Sequence, residues 1–304
     1  MIQLPDDIIF FERGWLSSNN FLLHDASQAC LVDTGYYTHA RQTEALVRSK
    51  LGNRSLTLIV NTHLHSDHCG GNAHLQEAFS NVETRIPLGQ AKHVHPWDES
   101  ALTYSPTGQF CPEFKYTGTI ESGDSFVIAN RKWAVFSAPG HDPHSMILFN
   151  ESDRILISAD ALWENGFGVV FPEIEDVDAF DEVAATLDLI RELQPAIVLP
   201  GHGTAFDDVT SALERARTRL EQFTTSPDKH SDYAAKVLLK FKLLEYQKIA
   251  LADFVQWGCS TPYLQLLHAK YKPATHMDSW IDSLCRSLEK SGACKFIDDE
   301  IVNT

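Results

Sequence analysis

The chain has 304 residues, 43% apolar and 22% charged, with a formal net charge of −16. That is the composition of a globular protein with room for two domains, and it excludes disordered, collagen-like and coiled-coil chains. The acid is lopsided: residues 1–206 hold 12 basic against 27 acidic side chains, and residues 207–304 hold 13 against 14. Such a surface repels phosphate backbones unless positive charge is focused locally, so nucleic acid is a disfavoured partner. No window approaches the roughly 18 apolar residues of a membrane span. The start, MIQLPDDIIFFERGW, puts no basic cluster before its apolar run and does not read as a secretory signal. Six scattered cysteines without a CxxC pair read as free thiols, which points to a reducing cytoplasm.

In chain order, FLLHD (21–25) and ACLVDTG (29–35) form an expected hairpin through residues 25–28. A helix is expected over 38–51, closed by Gly52, and LTLIVNTH (56–63) reads as a buried strand. A further helix is expected near 72–80. SFVIAN, KWAVFSA, MILFN, RILISAD and AIVLP are five more strand candidates. The stretch 178–194 has Phe180, Val183, Leu187 and Ile190 on one face, with Asp178 as the expected N-cap and Pro195 as the stop. After Phe206 the pattern turns helical, over 208–224, 231–247, 249–257, 261–270 and 277–291, with a loop at 224–232. A boundary near 206 is therefore expected between a domain of residues 1–206 and one of residues 207–304.

The strongest chemical signal is His63-Leu64-His65-Ser66-Asp67-His68, three imidazoles and a carboxylate directly after an apolar strand. Imidazole with carboxylate suits zinc, iron or manganese. Three more strand ends deliver His141 after Pro139-Gly140, Asp160 after Ile157-Ser158-Ala159, and His202 after Pro200-Gly201. Four strand ends carrying His or Asp are hard to produce by chance.

The segments NTHLHSDHCGG (61–71), APGHDPHS (138–145), LISAD (156–160) and PGHG (200–203) resemble the metallo-β-lactamase superfamily, in its glyoxalase II-like and endoribonuclease-like branches. LVDTG (31–35) and GTIESGDSF (118–126) match the family's habitual strands. The resemblance covers about residues 1–206. It implies an α+β fold, an αββα sandwich with a dinuclear site at one sheet edge. It places His63, His65 and His141 on a first metal, and Asp67, His68 and His202 on a second, with Asp160 bridging. Asp33 is then an orienting group behind the ligands, or else a plain turn aspartate. The implied cofactor is a pair of divalent ions, zinc first, with iron or manganese as alternatives. Such a pair supports hydrolysis by a bridging hydroxide, with the developing oxyanion held by the metals.

Other residues complete the expectations. Asp67 and Asp160 belong to the catalytic set, and His144 is placed there as a partner for substrate oxygen, with a structural loop histidine as its alternative. Trp163 and Phe167, just beyond Asp160, and Phe171 further along the same segment are candidate aromatic walls of a substrate pocket. His93 and His95 have metal-like spacing but no third partner nearby in sequence, and read as loop residues. Cys69 reads as a packed, inert thiol. In the tail, the helix–turn–strand order over 280–298 gives the helical appendage a winged-helix-like ending without a basic excess. Phe254, Trp257, Tyr263 and Leu267 are expected to cover part of the cleft mouth, and the tail to contribute to a homodimer.

The resulting expectation is a cytoplasmic metal-dependent hydrolase of a small-molecule thioester or carboxylic ester. The alternatives are a phosphodiesterase or ribonuclease of the same fold, and a non-enzymatic, metal-containing, ligand-binding regulatory protein.

Overall fold

A computed structural model describes residues 2–128 and 130–304. The strands are β1 (Ile8–Phe11), β2 (Asn20–His24), β3 (Ala29–Val32), β4 (Leu58–Val60), β5 (Glu83–Pro87), β6 (Gly118–Ile120), β7 (Ser125–Ile128), β8 (Arg131–Ser137), β9 (Met146–Asn150), β10 (Ile155–Ala159) and β11 (Ile197–Pro200). Between and after them lie helices α1 (Ala40–Leu51), α2 (Ser66–Cys69), α3 (Asn72–Ala78), α4 (Leu88–Val94), α5 (Tyr104–Thr107), α6 (Phe180–Leu193) and α7 (Val209–Thr225). The rest of the tail holds α8 (Pro227–Tyr246), α9 (Leu251–Ser260), α10 (Pro262–Tyr271), α11 (Met277–Lys290) and three short strands, β12 (Lys248–Ala250), β13 (Cys294–Ile297) and β14 (Glu300–Asn303).

Strands β1 to β6 lie in sequence order in one mixed sheet, and β11-β10-β9-β8-β7 form the second. Alternation along each strand separates two buried faces. Phe21, Leu23, Val32, Val60, Leu148 and Ile157 point between the sheets. Leu22, Leu31 and Ile59 point the other way, onto α1 and α3 through Val47, Leu51 and Leu75. On the second sheet Ile147, Leu156 and Val198 meet Leu187 and Ile190 of α6 and Leu213 of α7. Each such side chain contributes about 1.5–3 kcal/mol of burial. The layers are helix, sheet, sheet, helix, as expected.

Three expectations need correction. Asp178 does not cap α6; the Glu173 carboxylate accepts from the N–H groups of Ala179 and Phe180, because a preceding short 3-10 turn carries it there. The expected loop at 224–232 is mostly helix: α8 starts at Pro227, which suits the first helical position because it needs no N–H donor there. The tail also holds a three-stranded antiparallel sheet, in the order β12-β14-β13. Helix α7 shares a core cluster with the second sheet, whereas Ala234, Leu238, Phe254, Tyr263 and Ile281 belong to a separate one.

His230 of α8 ties the tail to the sandwich. The Val170 N–H donates to its Nε2 at 3.1 Å, and burial, with help from Lys270, pushes its pKa down to about 4. The unfolded chain takes up that proton near pH 6.5, whereas the folded chain resists until about pH 4, so stability falls as pH drops through this window. Between pH 7 and pH 5 this one group is expected to remove about 2 kcal/mol. Urea unfolding at the two pH values should show that loss reduced by the same amount in His230→Gln; the metal-site histidines contribute equally to both proteins.

Candidate metal centre

The C-terminal ends of β4, β8, β10 and β11 meet at one edge of the sandwich and deliver His63, His141, Asp160 and His202. Past β4 the chain turns through Thr62 and His63 into α2, which carries Asp67 and His68. Two close approaches need glycine. A Cβ on Gly201 would lie 2.2 Å from Asp160 Oδ1, and one on Gly70 2.5 Å from the Ser66 carbonyl. Larger residues there would displace the site.

The seven residues expected as ligands converge. His63, His65 and His141 form one cluster of donor atoms, His63, His68 and Asp160 a second, and Asp67, His68 and His202 a third. His65 Nδ1 lies 3.1 Å from His63 Nε2 and 2.8 Å from His141 Nε2. Asp160 Oδ2 is 3.3 Å from His141 Nε2 and 3.8 Å from His202 Nε2, while its Oδ1 is 3.5 Å from His68 Nε2. Asp67 Oδ2 sits 3.0 Å from His202 Nε2.

The proton positions follow from the groups behind the rings. His68 Nδ1–H donates to Asp33 Oδ2 at 2.8 Å, and His141 Nδ1–H donates to the Val169 carbonyl at 2.6 Å. Asp33 also accepts from Thr62, from its N–H at 2.9 Å and its hydroxyl at 2.8 Å. With that hydroxyl proton spent, His63 Nδ1–H donates to Thr62 Oγ1 at 3.1 Å. The inner nitrogens of His63 and His141 are therefore bare, and His68 turns its Nε2 into the same space. His65 Nε2 and His68 Nε2 are buried without any hydrogen-bond partner. Lone pairs aimed at one another across about 3 Å, in the company of two buried carboxylates, fit a cation-binding centre.

The electrostatics agree. Burial, joined by the neighbouring imidazoles, holds His63 and His65 well below the ordinary histidine value, so both stay neutral. Burial opposes charge on His68 too, but Asp160, Asp33 and Asp67 outweigh it and push its pKa well up. Burial likewise opposes charge on Asp160, yet His68 and His202 hold its carboxyl well below the usual range. The cluster has a net appetite for positive charge.

The remaining expected residues are placed as follows. Trp163 lines the cavity, and its Nε1–H donates to Asp160 Oδ1 at 3.2 Å. Phe167 does not line it; it is buried against Phe223, because the turn at Gly166 sends it into the core and leaves Phe171 on the wall. Phe171 packs edgewise on His65 and His141. His144 lies against Gly89 of α4, away from the cavity lining, because its N–H is drawn to Asp142 Oδ1. His93 and His95 fall outside the donor clusters found among the described residues. The Cys69 thiol is buried beside Tyr104 and Cys111, and burial pushes its pKa well up. Phe254, Tyr263 and Leu267 are buried in a core cluster that the tail shares with Val169 and Ile174, and Trp257 stacks on Phe254. The tail reaches the cavity through α8 instead, with Tyr233, Val237, Leu238 and Phe241.

Two neighbours of the centre were not singled out in the sequence. Trp15 stacks on His202, with ring centroids 5.3 Å apart and planes within 3°. Asp142 is buried, and its pKa is pushed up to about 6 by that burial. Its place next to His141 in the chain was the one available hint.

The family model for the metallo-beta-lactamase superfamily matches residues 13–202. Among curated proteins, the chain is 26% identical over 199 residues to a beta-lactamase-like protein 2 homolog of Caenorhabditis elegans, covering 65% of this chain and 59% of that one. It is 27% identical to the acyl-coenzyme A thioesterase MBLAC2 of Gallus gallus, covering 49% and 57%. It is also 27% identical to a hydroxyacylglutathione hydrolase of Rhizobium etli, covering 57% and 54%. The chain thus spans less than two thirds of the length of each of these relatives. Among solved structures, a metallo-beta-lactamase family protein of Thermus thermophilus superposes with a TM-score of 0.58 at 16% identity, over 98% of both chains. Because the family model covers more than half of its length, the chain belongs to the metallo-β-lactamase superfamily.

Proposed function

We propose that the chain is a dinuclear metal-dependent hydrolase of thioesters or carboxylic esters. The convergence of seven His and Asp side chains on one space carries this reading. His63, His65 and His141 would hold one ion, Asp67, His68 and His202 the other, and Asp160 would join both. Imidazole and carboxylate donors suit zinc first, then iron or manganese. Two such ions supply Lewis acidity for the substrate carbonyl and lower the pKa of water at the site. The chain's own groups do the positioning. Asp33 fixes the tautomer of His68 directly and that of His63 through Thr62. Val169 fixes that of His141, and Trp163 pins one oxygen of Asp160 so that the other faces His141. Phe171 and Trp15 cover ligand rings and restrict water. Hydrolysis then adds water across the acyl–sulfur or acyl–oxygen bond and releases a carboxylate and a thiol or alcohol. The thioester preference is supported by the relatives named for acyl-coenzyme A and hydroxyacylglutathione substrates.

We further read residues 1–206 as the catalytic domain and 207–304 as a helical, winged-helix-like domain. The protein is placed in the cytoplasm, and dimerisation through the tail is part of the same reading. Among the described residues no helix is long and apolar enough to cross a membrane.

Elemental analysis of the purified protein should find two divalent ions per chain. A panel of thioester, ester, lactone, lactam and phosphodiester substrates should then show hydrolysis of the acyl compounds. Turnover of phosphodiesters alone would favour the nuclease reading. No turnover with both ions bound would favour a regulatory protein.

A further inference from the structure

The cavity over the donor cluster is small, about 110 Å³, whereas sites for ligands of any size run to about 300–1,000 Å³. It does not end there. Tyr233, Val237, Phe241 and Trp15 line it and also line an adjoining groove of about 390 Å³. The groove continues along α8 to Leu244, with Leu288 of α11 among its other lining residues.

Residues 233, 237, 241 and 244 recur every three or four positions and form one stripe of α8. From Tyr233 to Leu244 the stripe is about 16 Å long. Apart from Tyr233 its side chains are hydrocarbon, although they face a groove open to water. The Lys240 ammonium donates to the Ala293 carbonyl and to Asn303 Oδ1, which leaves its methylene stem to line the groove. Trp15 is 56% exposed, although its indole stacks on His202. That exposed indole lines both the reacting cavity and the apolar groove, so the two spaces share one wall.

We propose that the groove is the subsite for a long, unbranched apolar acyl chain, with Trp15 at the junction where the chain leaves the metal centre. This rests on the hydrolase reading and narrows it: substrates are medium- to long-chain acyl thioesters or esters. Val237, Phe241 and Leu244 determine chain-length specificity. A linear chain suits a narrow groove about 16 Å long that offers few hydrogen-bonding groups along its stripe. Its continuity with the donor cluster separates it from a docking face for another protein.

The test uses the full-length, metal-loaded protein and a series of acyl thioesters of one thiol, from acetyl to dodecanoyl. kcat/KM should rise by about fourfold per added methylene until the groove is full. Leu244→Glu, and separately Val237→Phe, should lower the dodecanoyl-to-acetyl ratio of kcat/KM at least tenfold. A flat chain-length profile, or a ratio unchanged in both variants, overturns the proposal. Binding is measured independently, with dodecanoate titrated into the wild type and Leu244→Glu by calorimetry. If no thioester is hydrolysed but dodecanoate binds, and binds at least tenfold more weakly to the variant, the hydrolase reading fails and the subsite stands. If dodecanoate does not bind, the subsite fails whatever the activity. A protein whose mass doubles with concentration while dodecanoate leaves the groove untouched would assign this face to a second copy of the chain, and would also overturn the proposal.

Discussion

Asp160→Ala is expected to leave at most one tightly held ion per chain and to lower hydrolysis by roughly three orders of magnitude. Asp160 lies within 3.3–3.8 Å of His141, His68 and His202, so it contacts imidazoles from both sets of three ligands. Removing it withdraws the anion that would sit between two cations, and the repulsion between them then falls on one set of ligands. It also removes the carboxylate that does most to hold charge on buried His68, and a buried charge left unpaired costs about 3–5 kcal/mol. The alanine variant can therefore lose metal simply by loosening. Asp160→Asn separates the two effects: it keeps the volume and an oxygen to accept from Trp163, but removes the charge. Elemental analysis of both variants beside their thermal unfolding tests the assignment. Two ions per chain in a folded Asp160→Asn protein with ordinary turnover would remove Asp160 from the bridging role.

The strand ends that lead to the donor cluster were legible in the sequence because they follow apolar runs that must be buried. His63 comes after Leu58–Val60, Asp160 after Ile155–Ala159 and His202 after Ile197–Pro200. A buried strand that stops at a polar residue points that residue at a sheet edge. The layer order was legible for the same reason, through the alternation of Phe21, Leu22 and Leu23 between two faces. The pocket walls were not legible. Which aromatic of Trp163, Phe167 and Phe171 faces the cavity depends on the turn at Gly166, whose φ of 118° has no counterpart in hydropathy. Trp15 and the α8 stripe lie about 50 and 170 residues from the histidine motif, so long-range packing alone brings them to it. In α8 the stripe at 233, 237, 241 and 244 is apolar like any core face; its exposure to a groove is a property of what packs beside it. Asp178 illustrates the local failure: a plausible cap lost its place to Glu173, five residues earlier, because a 3-10 turn intervened.

Asp33→Asn should weaken metal binding by about 100-fold or more while leaving the folded protein intact. Asp33 is fully buried and has a φ of 57°, a left-handed conformation that asparagine tolerates as aspartate does. The Thr62 N–H donates to one of its oxygens and cannot reverse, so the asparagine carbonyl must stay there. The amide nitrogen then faces the Thr62 hydroxyl and His68 Nδ1, where the second carboxylate oxygen accepted two protons. An amide donates, so His68 must give up its Nδ1 proton and is left with its one proton on Nε2, which points into the donor cluster. The Thr62 hydroxyl, now receiving from the amide, turns its own proton toward His63 Nδ1. His63 is thereby driven to the Nε2–H form as well. One atom exchanged outside the ligand shell blocks one nitrogen of each proposed ion, and the hydrogen bonds from position 33 through Thr62 to His63 are all kept. Chelator competition at pH 7.5 measures the loss of affinity, and the metal-free variant should still unfold cooperatively on heating. Long-range proton–nitrogen spectra of the imidazoles carry the readout that a merely structural role would not move. The metal-free wild type should show His63 protonated on Nδ1 alone and His68, whose pKa is pushed well up by the surrounding carboxylates, protonated on both nitrogens; the variant should show both rings protonated on Nε2 alone. Unchanged tautomers with unchanged metal affinity would show that Asp33 only shapes the turn.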